Sequence, residues 1–381
     1  MKIPLLDVVR QNKPLEAELK EAACRVVVEG RYINGPDVSA FEQELSAYCS
    51  AGLENGETAH IIACASGSDA LIVAFMALDL QPGDEVITTP YTFFATTSCL
   101  TRLGLVPVYV DIEPGTFNIN VAQIEAKITS RTRAILPVHL YGQCADMDAI
   151  MAIAKRHGLM VVEDAAQSLG AQWQGRMAGA IGHLGIYSFY PSKNLGGFGD
   201  GGALVTRDAV LADKMRVLCA HGSRPKYHHH VVGVNSRLDT MQAALLRVKL
   251  RHLDSYHAER LARANEYQEG LLQSGVNEKL ALPVSDSRGV HVWNQYCIRY
   301  EDRDALRAEL TAKGIGSEIY YPIPLHMQKC FEFLGYKAGE FPVAEEAART
   351  SVALPIFGEL SREEIAYVVA GIRDFVGKSA V

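Results

Sequence analysis

From residue 60 onward, short apolar segments rich in β-branched residues alternate with longer segments of helix-forming composition, and this alternation constrains the fold more than any other feature. The strand-like segments are HIIACA (60–65), EVITTP (85–90), VPVYVDI (106–112), AILPVHL (134–140) and LMVVEDA (159–165). Helices are predicted between them, near 69–79, 94–102, 121–128 and 146–157. Nearly continuous apolar strands are typical of a parallel sheet that helices cover on both faces. The pattern therefore predicts an α/β protein with a mostly parallel sheet.

The remainder of the chain predicts a second, smaller unit. Residues 238–272 have few helix breakers and predict one long connecting helix. Beyond it come VWNQYCIRY (292–300), a helix near 303–313, IGSEIYY (315–321) and a terminal helix near 361–374. Two helices are also predicted near the N-terminus, Leu15–Glu29 and Val38–Cys49. We expect a large domain over residues 1–250, which includes the N-terminal segment, and a small α/β domain over 251–381.

Composition excludes several classes of protein. The net charge is −7 and no long basic block is present, which argues against a nucleic-acid partner. Eight scattered cysteines without a CxxC pair argue against a disulfide scaffold or a clustered zinc site. The run His228–His230 has no carboxylate at ligand-like spacing, so we predict no metal site. No apolar run approaches the ~20 residues of a membrane-spanning helix, and we expect a cytoplasmic protein with no membrane partner.

Polar residues that follow the predicted strands are the first candidates for a site, because ligands bind outside the carboxyl ends of parallel strands. Ser66-Gly67-Ser68-Asp69 follows one strand and opens a helix. Its small residues would let backbone N–H groups approach a phosphate, although a plain helix cap would use the same residues. Phe93 follows another strand, where an aromatic ring could stack on a flat cofactor or simply pack in the core.

An acid and a lysine complete the set of candidates. Asp164 ends an apolar strand, where a buried carboxylate must meet a cation or water, or else cap a helix. Lys193 lies in a glycine-interrupted stretch, residues 181–207, among apolar and small residues. Poor solvation there favours the neutral amine, which can attack a carbonyl and form a Schiff base. The order of phosphate turn, acid after a strand and lysine in a glycine loop indicates a pyridoxal phosphate enzyme.

Eight motifs together resemble the DegT/DnrJ/EryC1/StrS family of pyridoxal-phosphate-dependent sugar aminotransferases, over about residues 3–375. They are GRYINGPDVSAFE (30–42), ASGSDAL (65–71), PGDEVITTPYTFFAT (82–96), PVHLYGQCADMDAI (137–150), VVEDAAQSLGA (161–171), YSFYPSKNLGGFGDGGALVT (187–206), GVNSRLDTMQAALLRVKL (233–250) and YYPIPLHMQ (320–328). The resemblance implies the aspartate aminotransferase (type I) fold of PLP-dependent transferases.

The resemblance also implies roles for individual residues. Lys193 would bind the cofactor covalently and act as the catalytic base and acid. The other cofactor-binding residues would be Asp164 at the ring nitrogen, Gln167 at the ring hydroxyl, Phe93 on the ring face, Gly67, Ser68 and Ser188 at the phosphate, and Asn235 reaching the phosphate from a neighbouring subunit. A homodimer with two shared active sites follows from the last of these.

For the reaction, the resemblance implies amino transfer from an amino acid, expected to be L-glutamate, to a keto-sugar nucleotide. The segments 226–246 and 320–328 are most similar to members that act at C3 of a UDP- or dTDP-linked 3-keto-hexose. Members specific for uronic acids tend to have His where this chain has Tyr320, which argues against a uronate. A C4 aminotransferase and a non-catalytic regulatory sensor on the same fold are the alternatives, and the retained Lys193 argues against the sensor.

Three residues are candidates for binding the substrate. The planar guanidinium of Arg237 suits a carboxylate or a phosphate, although an ion pair with Asp239 or a helix cap would explain it equally well. Tyr321 and His326 belong to the YYPIPLHMQ motif and would line the sugar pocket or serve the structure.

Overall fold

The computed structural model describes residues 1–54 and 56–378. In this part of the chain the strands are β1 (His60–Cys64), β2 (Glu85–Thr88), β3 (Val106–Tyr109), β4 (Thr132–Ile135), β5 (Met160–Asp164), β6 (Gln172–Trp173), β7 (Arg176–Met177), β8 (Leu184–Ser188), β9 (Gly202–Thr206), β10 (Leu280–Ala281), β11 (Gly289–Val290), β12 (Tyr296–Tyr300) and β13 (Ser351–Leu354). Seven of them form the main sheet, in the order β1-β9-β8-β5-β4-β2-β3. Only β9 runs antiparallel to its neighbours in this sheet. The predicted mostly parallel α/β sheet is confirmed.

The α-helices of the described residues are α1 (Val8–Asn12), α2 (Glu16–Glu29), α3 (Pro36–Cys49), α4 (Gly67–Ala77), α5 (Phe94–Arg102), α6 (Met147–His157), α7 (Ala209–Cys219), α8 (Thr240–Leu250), α9 (Leu253–Gln273), α10 (Arg303–Ala312), α11 (Pro342–Thr350) and α12 (Arg362–Lys378). Short 3-10 helices lie at Lys13–Leu15, Val121–Gln123, Glu125–Lys127, Leu140–Gly142, Val276–Glu278, Leu325–Met327 and Lys329–Leu334. None of the helices in the described ranges is long and apolar enough to cross a membrane.

Successive residues of the central strands belong to two different cores, because side chains alternate across a sheet. Ile61 and Val161 pack in one buried cluster with side chains of α3, α6 and α8. Ile62 and Val162 pack in the other, with side chains of α4, α5 and α7. Both faces of the sheet are therefore covered, which explains why consecutive positions at the centres of these strands are apolar.

Two predicted helices differ from the structure. Residues 121–128 form two 3-10 turns rather than one helix. Ile124 is the only fully buried side chain of this stretch, with Val121 and Ile128 partly buried on the same core, so little buried apolar surface stabilises a longer helix. The predicted helix over 238–272 is two helices, α8 and α9, which a turn at Arg251 and His252 separates. They pack on different cores, since Leu246 of α8 belongs to the main-sheet core and Tyr267 of α9 to the core of the C-terminal unit.

A second sheet, of order β10-β12-β13, forms the C-terminal unit together with α9, α10 and α12. Ile3 packs into the core of this unit and forms a parallel bridge with Ile315. The N-terminal residues therefore contact the C-terminal unit as well as leading into the large one. The domain division at residue 250 stays a prediction.

Candidate active site

A cavity of about 710 Å³ opens where the parallel strands of the main sheet end. Segments that follow β1, β2, β5 and β8 line it, as does a wall from the C-terminal unit. The polar and aromatic lining residues are Ser66, Ser68, Thr92, Phe93, Asp164, Gln167, Ser188, Tyr190, Ser192, Lys193, Asp200, Gln295, Glu318, Tyr320 and Tyr321. Most of the predicted cofactor residues thus meet in one place, as expected for ligand sites at the carboxyl edge of a parallel sheet.

The first turn of α4 forms an anion-binding cup at this cavity. Ser66 caps the helix, since its side chain accepts a hydrogen bond from the Asp69 N–H at 3.1 Å. The N–H groups of Gly67 and Ser68 have no acceptor within the described residues, so they remain free for a ligand at the positive end of the helix. A Cβ on Gly67 would lie 2.9 Å from the Ser188 Cβ. The cup therefore requires glycine at this position.

Asp164 is a buried carboxylate at the end of β5 with only part of its hydrogen-bonding capacity used. The Thr96 hydroxyl donates to one oxygen at 2.8 Å and the Ala166 N–H to the other at 3.2 Å. Burial raises the pKa of this carboxyl despite these donors and the nearby Lys193. A cationic group in the cavity would relieve the cost of the buried charge.

Gln167 is held in a defined orientation from two sides. Its Oε1 accepts from the Tyr141 N–H at 2.8 Å, and its Nε2 donates to the Tyr321 hydroxyl at 2.9 Å. The second N–H of the amide has no acceptor within the described residues. It is free to donate to a ligand oxygen in the cavity.

Lys193 projects its amine into the cavity from the loop between β8 and β9. Burial lowers the pKa of this amine to about 8, against the opposing attraction of Asp164. In the described part of the chain no acceptor is paired with its Nζ. A substantial fraction of Lys193 is therefore a neutral nucleophile near pH 8, as a Schiff-base lysine requires.

Phe93, which directly precedes α5, offers a flat apolar surface to the cavity, since 56% of this residue is exposed. Its ring lies 6.1 Å from that of Tyr321 at a tilt of 45°. The exposed face is available to a planar ligand.

The chain matches the model of the DegT/DnrJ/EryC1/StrS aminotransferase family over residues 14–373. The chain belongs to this family. It is a pyridoxal-phosphate-dependent sugar aminotransferase.

Several relatives match this aminotransferase over nearly the whole length of both chains. The pleiotropic regulatory protein of Geobacillus stearothermophilus is 48% identical, over 98% of this chain and 99% of its own. The UDP-N-acetyl-3-dehydro-α-D-glucosamine 3-aminotransferase of Acidithiobacillus ferrooxidans is 45% identical, over 97% of each. The dTDP-3-amino-3,4,6-trideoxy-α-D-glucose transaminase of Streptomyces venezuelae is 43% identical, over 98% and 96%.

Two solved structures support the same fold. DesV of S. venezuelae, in complex with a ketimine intermediate, superposes with a TM-score of 0.93 at 43% identity, over 98% of each chain. NtdA of Bacillus subtilis with bound cofactor PMP superposes with a TM-score of 0.89 at 33% identity, over 99% of this chain and 85% of that one. The predicted aminotransferase fold is confirmed.

The donor set of the cavity fits pyridoxal phosphate. The N–H cup at Gly67 and Ser68 suits a phosphate, and the underused carboxylate of Asp164 suits a protonated ring nitrogen. The unpaired amine of Lys193 suits an aldehyde. Pyridoxal phosphate is therefore the cofactor of this aminotransferase.

Three predicted residues lie outside the lining of the cavity in this chain. Asn235 is exposed on an extended segment that bridges to Ala220. Arg237 is half-buried, and among the described residues no carboxylate pairs with its guanidinium, since Asp239 instead accepts from the Gln242 N–H at 2.8 Å. The buried ring of His326 bonds to Glu345 at 3.1 Å rather than facing the cavity.

Sequence reasoning missed part of the cavity wall. Thr96 is the last residue of the motif at 82–96, yet nothing in the sequence links its hydroxyl to Asp164. Gln295 and Glu318 come from the C-terminal unit, more than a hundred residues from Lys193 along the chain. Gln295 lies inside the segment VWNQYCIRY (292–300), and nothing in this local pattern indicates that its side chain faces the cavity.

Proposed function

We propose that this enzyme transfers an amino group from L-glutamate to the C3 keto group of a hexose linked to UDP or dTDP. One observation carries the proposal: the free amine of Lys193, the carboxylate of Asp164 and the N–H cup of α4 converge on a single cavity. Relatives at 43% and 45% identity are named for amino groups at C3, which supports this position on the sugar.

The chain's own residues would bind and orient the cofactor. Gly67, Ser68 and Ser188 would hold the phosphate, and Phe93 would cover one ring face. The carboxylate of Asp164 would keep the ring nitrogen protonated, and the free N–H of Gln167 would donate to the oxygen of the ring hydroxyl. When bound, pyridoxal phosphate supplies an electron sink for the carbon that loses a proton.

Lys193 would move the proton in both halves of the reaction. An amine with a pKa of about 8 is present in both protonation states near neutral pH. It can therefore accept a proton from the α-carbon of the amino donor and return it to an adjacent atom without a large energetic penalty. In the second half it would deliver a proton to C3 of the sugar side.

The sugar would occupy the outer cavity, against the wall from the C-terminal unit. Tyr321 lines this wall and is fixed by Gln167, so it would contact the sugar ring. Arg237 has no ion-pair partner among the described residues, and its cation would bind the diphosphate or another anionic substrate group. We infer that it does so from a second copy of the chain, in a homodimer where Asn235 reaches the neighbouring phosphate site.

The experiment is a pair of half-reactions with the purified, cofactor-loaded protein. L-Glutamate should bleach the visible absorbance of the bound cofactor, and a UDP- or dTDP-linked 3-keto-hexose should restore it. Restoration by 4-keto-hexoses alone would instead identify a C4 aminotransferase. If neither sugar series restores the band, the protein is not the proposed enzyme, and a regulatory role becomes the better explanation.

A further inference from the structure

The loop that carries Lys193 is closed by its own backbone. Phe189 donates its N–H to the Gly201 carbonyl at 2.8 Å and accepts from the Gly197 N–H at 2.7 Å. Within the loop that these two hydrogen bonds close, the Lys193 N–H donates to the Tyr190 carbonyl at 2.8 Å. The direction of the Lys193 side chain therefore depends on how firmly residues 190–197 are held.

One side of the loop is fixed by residues from the C-terminal unit. The Asn194 side chain donates to the Val292 carbonyl at 2.8 Å and accepts from the Asn294 amide at 2.8 Å. Asn194 is only 3% exposed, so these bonds form away from water. The residue directly after Lys193 is thus immobilised.

The other side is fixed by α8. Lys249 donates from its Nζ to the Gly196 carbonyl at 2.6 Å, and Gln242 accepts from the Phe198 N–H at 2.8 Å. Both residues belong to the 233–250 motif, yet neither lines the cavity. Residues 194, 196 and 198, which all follow Lys193 in the loop, are therefore held by groups that lie outside the lining of the cavity.

Burial of the Lys249 ammonium at this position lowers the stability of the folded protein. It is 1% exposed, and Gly196 is its single hydrogen-bond acceptor among the described residues. Burial lowers its pKa to about 8, with Glu359 opposing this shift and Arg260 adding to it. The ring of Phe198 lies 5.7 Å from its Nζ and gives modest further stabilisation. A methionine would fill the same space without the cost of a buried, weakly paired ammonium.

We propose that Lys249 is a positioning residue, which fixes the direction of the Lys193 amine through the Gly196 carbonyl. The inference rests on the proposed role of Lys193 in proton transfer. Proton transfer needs the amine aligned to within a few tenths of an ångström, whereas substrate binding does not involve this loop side. Loss of the Lys249 contact should therefore lower kcat far more than it changes KM.

The test compares Lys249→Met with the wild-type enzyme and with Lys155→Met, an exposed lysine on α6 that serves as the matched control. Lys249→Met should lower kcat at least tenfold and leave KM for L-glutamate within threefold. It should speed amide exchange in the peptide that spans residues 190–199 at least tenfold, in the apoenzyme as well. Its melting temperature should stay close to that of wild type, because removal of the buried ammonium offsets the loss of the donor to the buried Gly196 carbonyl.

Lys249→Gln serves as the second variant, since its amide can still donate a hydrogen bond without the charge. Its kcat should lie between those of wild type and Lys249→Met. Unchanged kcat and unchanged exchange in Lys249→Met would overturn the proposal, and so would failure of this variant to fold, which would assign Lys249 to stability alone. If wild type itself transfers no amino group, the proposed function fails, while the exchange measurement still tests the hold of Lys249 on the loop.

Discussion

Glu163 and Asp164 are adjacent buried carboxylates with opposite surroundings, and they predict opposite effects of neutral substitution. Glu163 is fully buried and accepts four hydrogen bonds. Its Oε2 accepts from His139 Nε2 at 2.7 Å and from the Gly179 N–H at 2.8 Å. Its Oε1 accepts from the N–H groups of Ile181 at 2.8 Å and Gly182 at 2.5 Å. The carboxylate thus joins β5 to the turn before β8.

The tautomer of His139 confirms that its Nε2 is one of the four donors to Glu163. The Ala145 N–H donates to His139 Nδ1 at 3.1 Å, so the ring proton resides on Nε2 and points at Glu163. In Glu163→Gln, one oxygen becomes an NH₂ group that faces two donors. Two buried donors then lose their acceptor, at about 1–3 kcal/mol each, so we expect a loss of about 2–6 kcal/mol in the free energy of unfolding.

Urea unfolding of the apoenzyme, followed by circular dichroism and tryptophan fluorescence, measures this loss. The midpoint should fall while the denaturant slope stays constant. Cofactor is left out because its binding would stabilise both proteins and mask the difference. Residual aminotransferase activity of the cofactor-loaded Glu163→Gln protein at low temperature should persist, since Glu163 does not line the cavity.

Asp164→Asn is the matched control, with the same chemical change one residue later. Asp164 accepts only two hydrogen bonds and burial raises its pKa, so its ionised form destabilises the apoenzyme. Stability is lost as pH rises through and above the ordinary aspartate range near 4. Asp164→Asn should therefore be at least as stable as wild type at pH 7, with the difference vanishing below about pH 4, while amino transfer falls by at least a hundredfold. A loss below 1 kcal/mol in Glu163→Gln together with a larger loss in Asp164→Asn would contradict the opposite surroundings assigned to the two carboxylates.

Three further predictions concern the cofactor and the proposed homodimer. The rate at which apoenzyme attaches pyridoxal phosphate should rise about tenfold per pH unit below 8 and level off above it, because the pKa of Lys193 is lowered to about 8; stopped-flow absorbance checks this. Gly67→Ala should weaken cofactor binding at least tenfold in fluorescence titrations, since its Cβ would meet that of Ser188 at 2.9 Å, whereas Gly377→Ala, with nothing within 4 Å of its Cβ, should not. Lys193→Ala and Asn235→Ala should each be nearly inactive alone, and mixing their subunits should restore about a quarter of wild-type activity, since half of the dimers then contain one intact shared site; full activity of Asn235→Ala alone would show that the sites are not shared.

The fold was predictable from sequence where burial imposes a pattern. Ile61 and Ile62 face different cores, so β1 carries a continuous apolar run after His60, and this run predicts a buried strand. The pattern fails where a stretch buries little apolar surface, as around Ile124, or where a helix changes partner without a glycine or proline, as at His252. In both cases tertiary packing decides the backbone, and the local sequence carries little trace of it.

The site residues divide in the same way. Gly67, Asp164 and Lys193 follow or lie between strands of the main sheet, so the rule for parallel sheets brings them to one edge. Tyr321 and His326 lie in a segment of 3-10 turns and extended residues, which has no period that would relate position to direction. Tyr321 meets Gln167 in the cavity, while His326 turns to Glu345 and packs on Phe341 at 4.8 Å. Five residues apart in one motif, they serve different surroundings because α11, rather than the motif itself, supplies the contacts of His326. A shared motif therefore indicates that a segment has the same local structure as in other members of the family. Only the packing around the segment shows which of its side chains can reach a substrate.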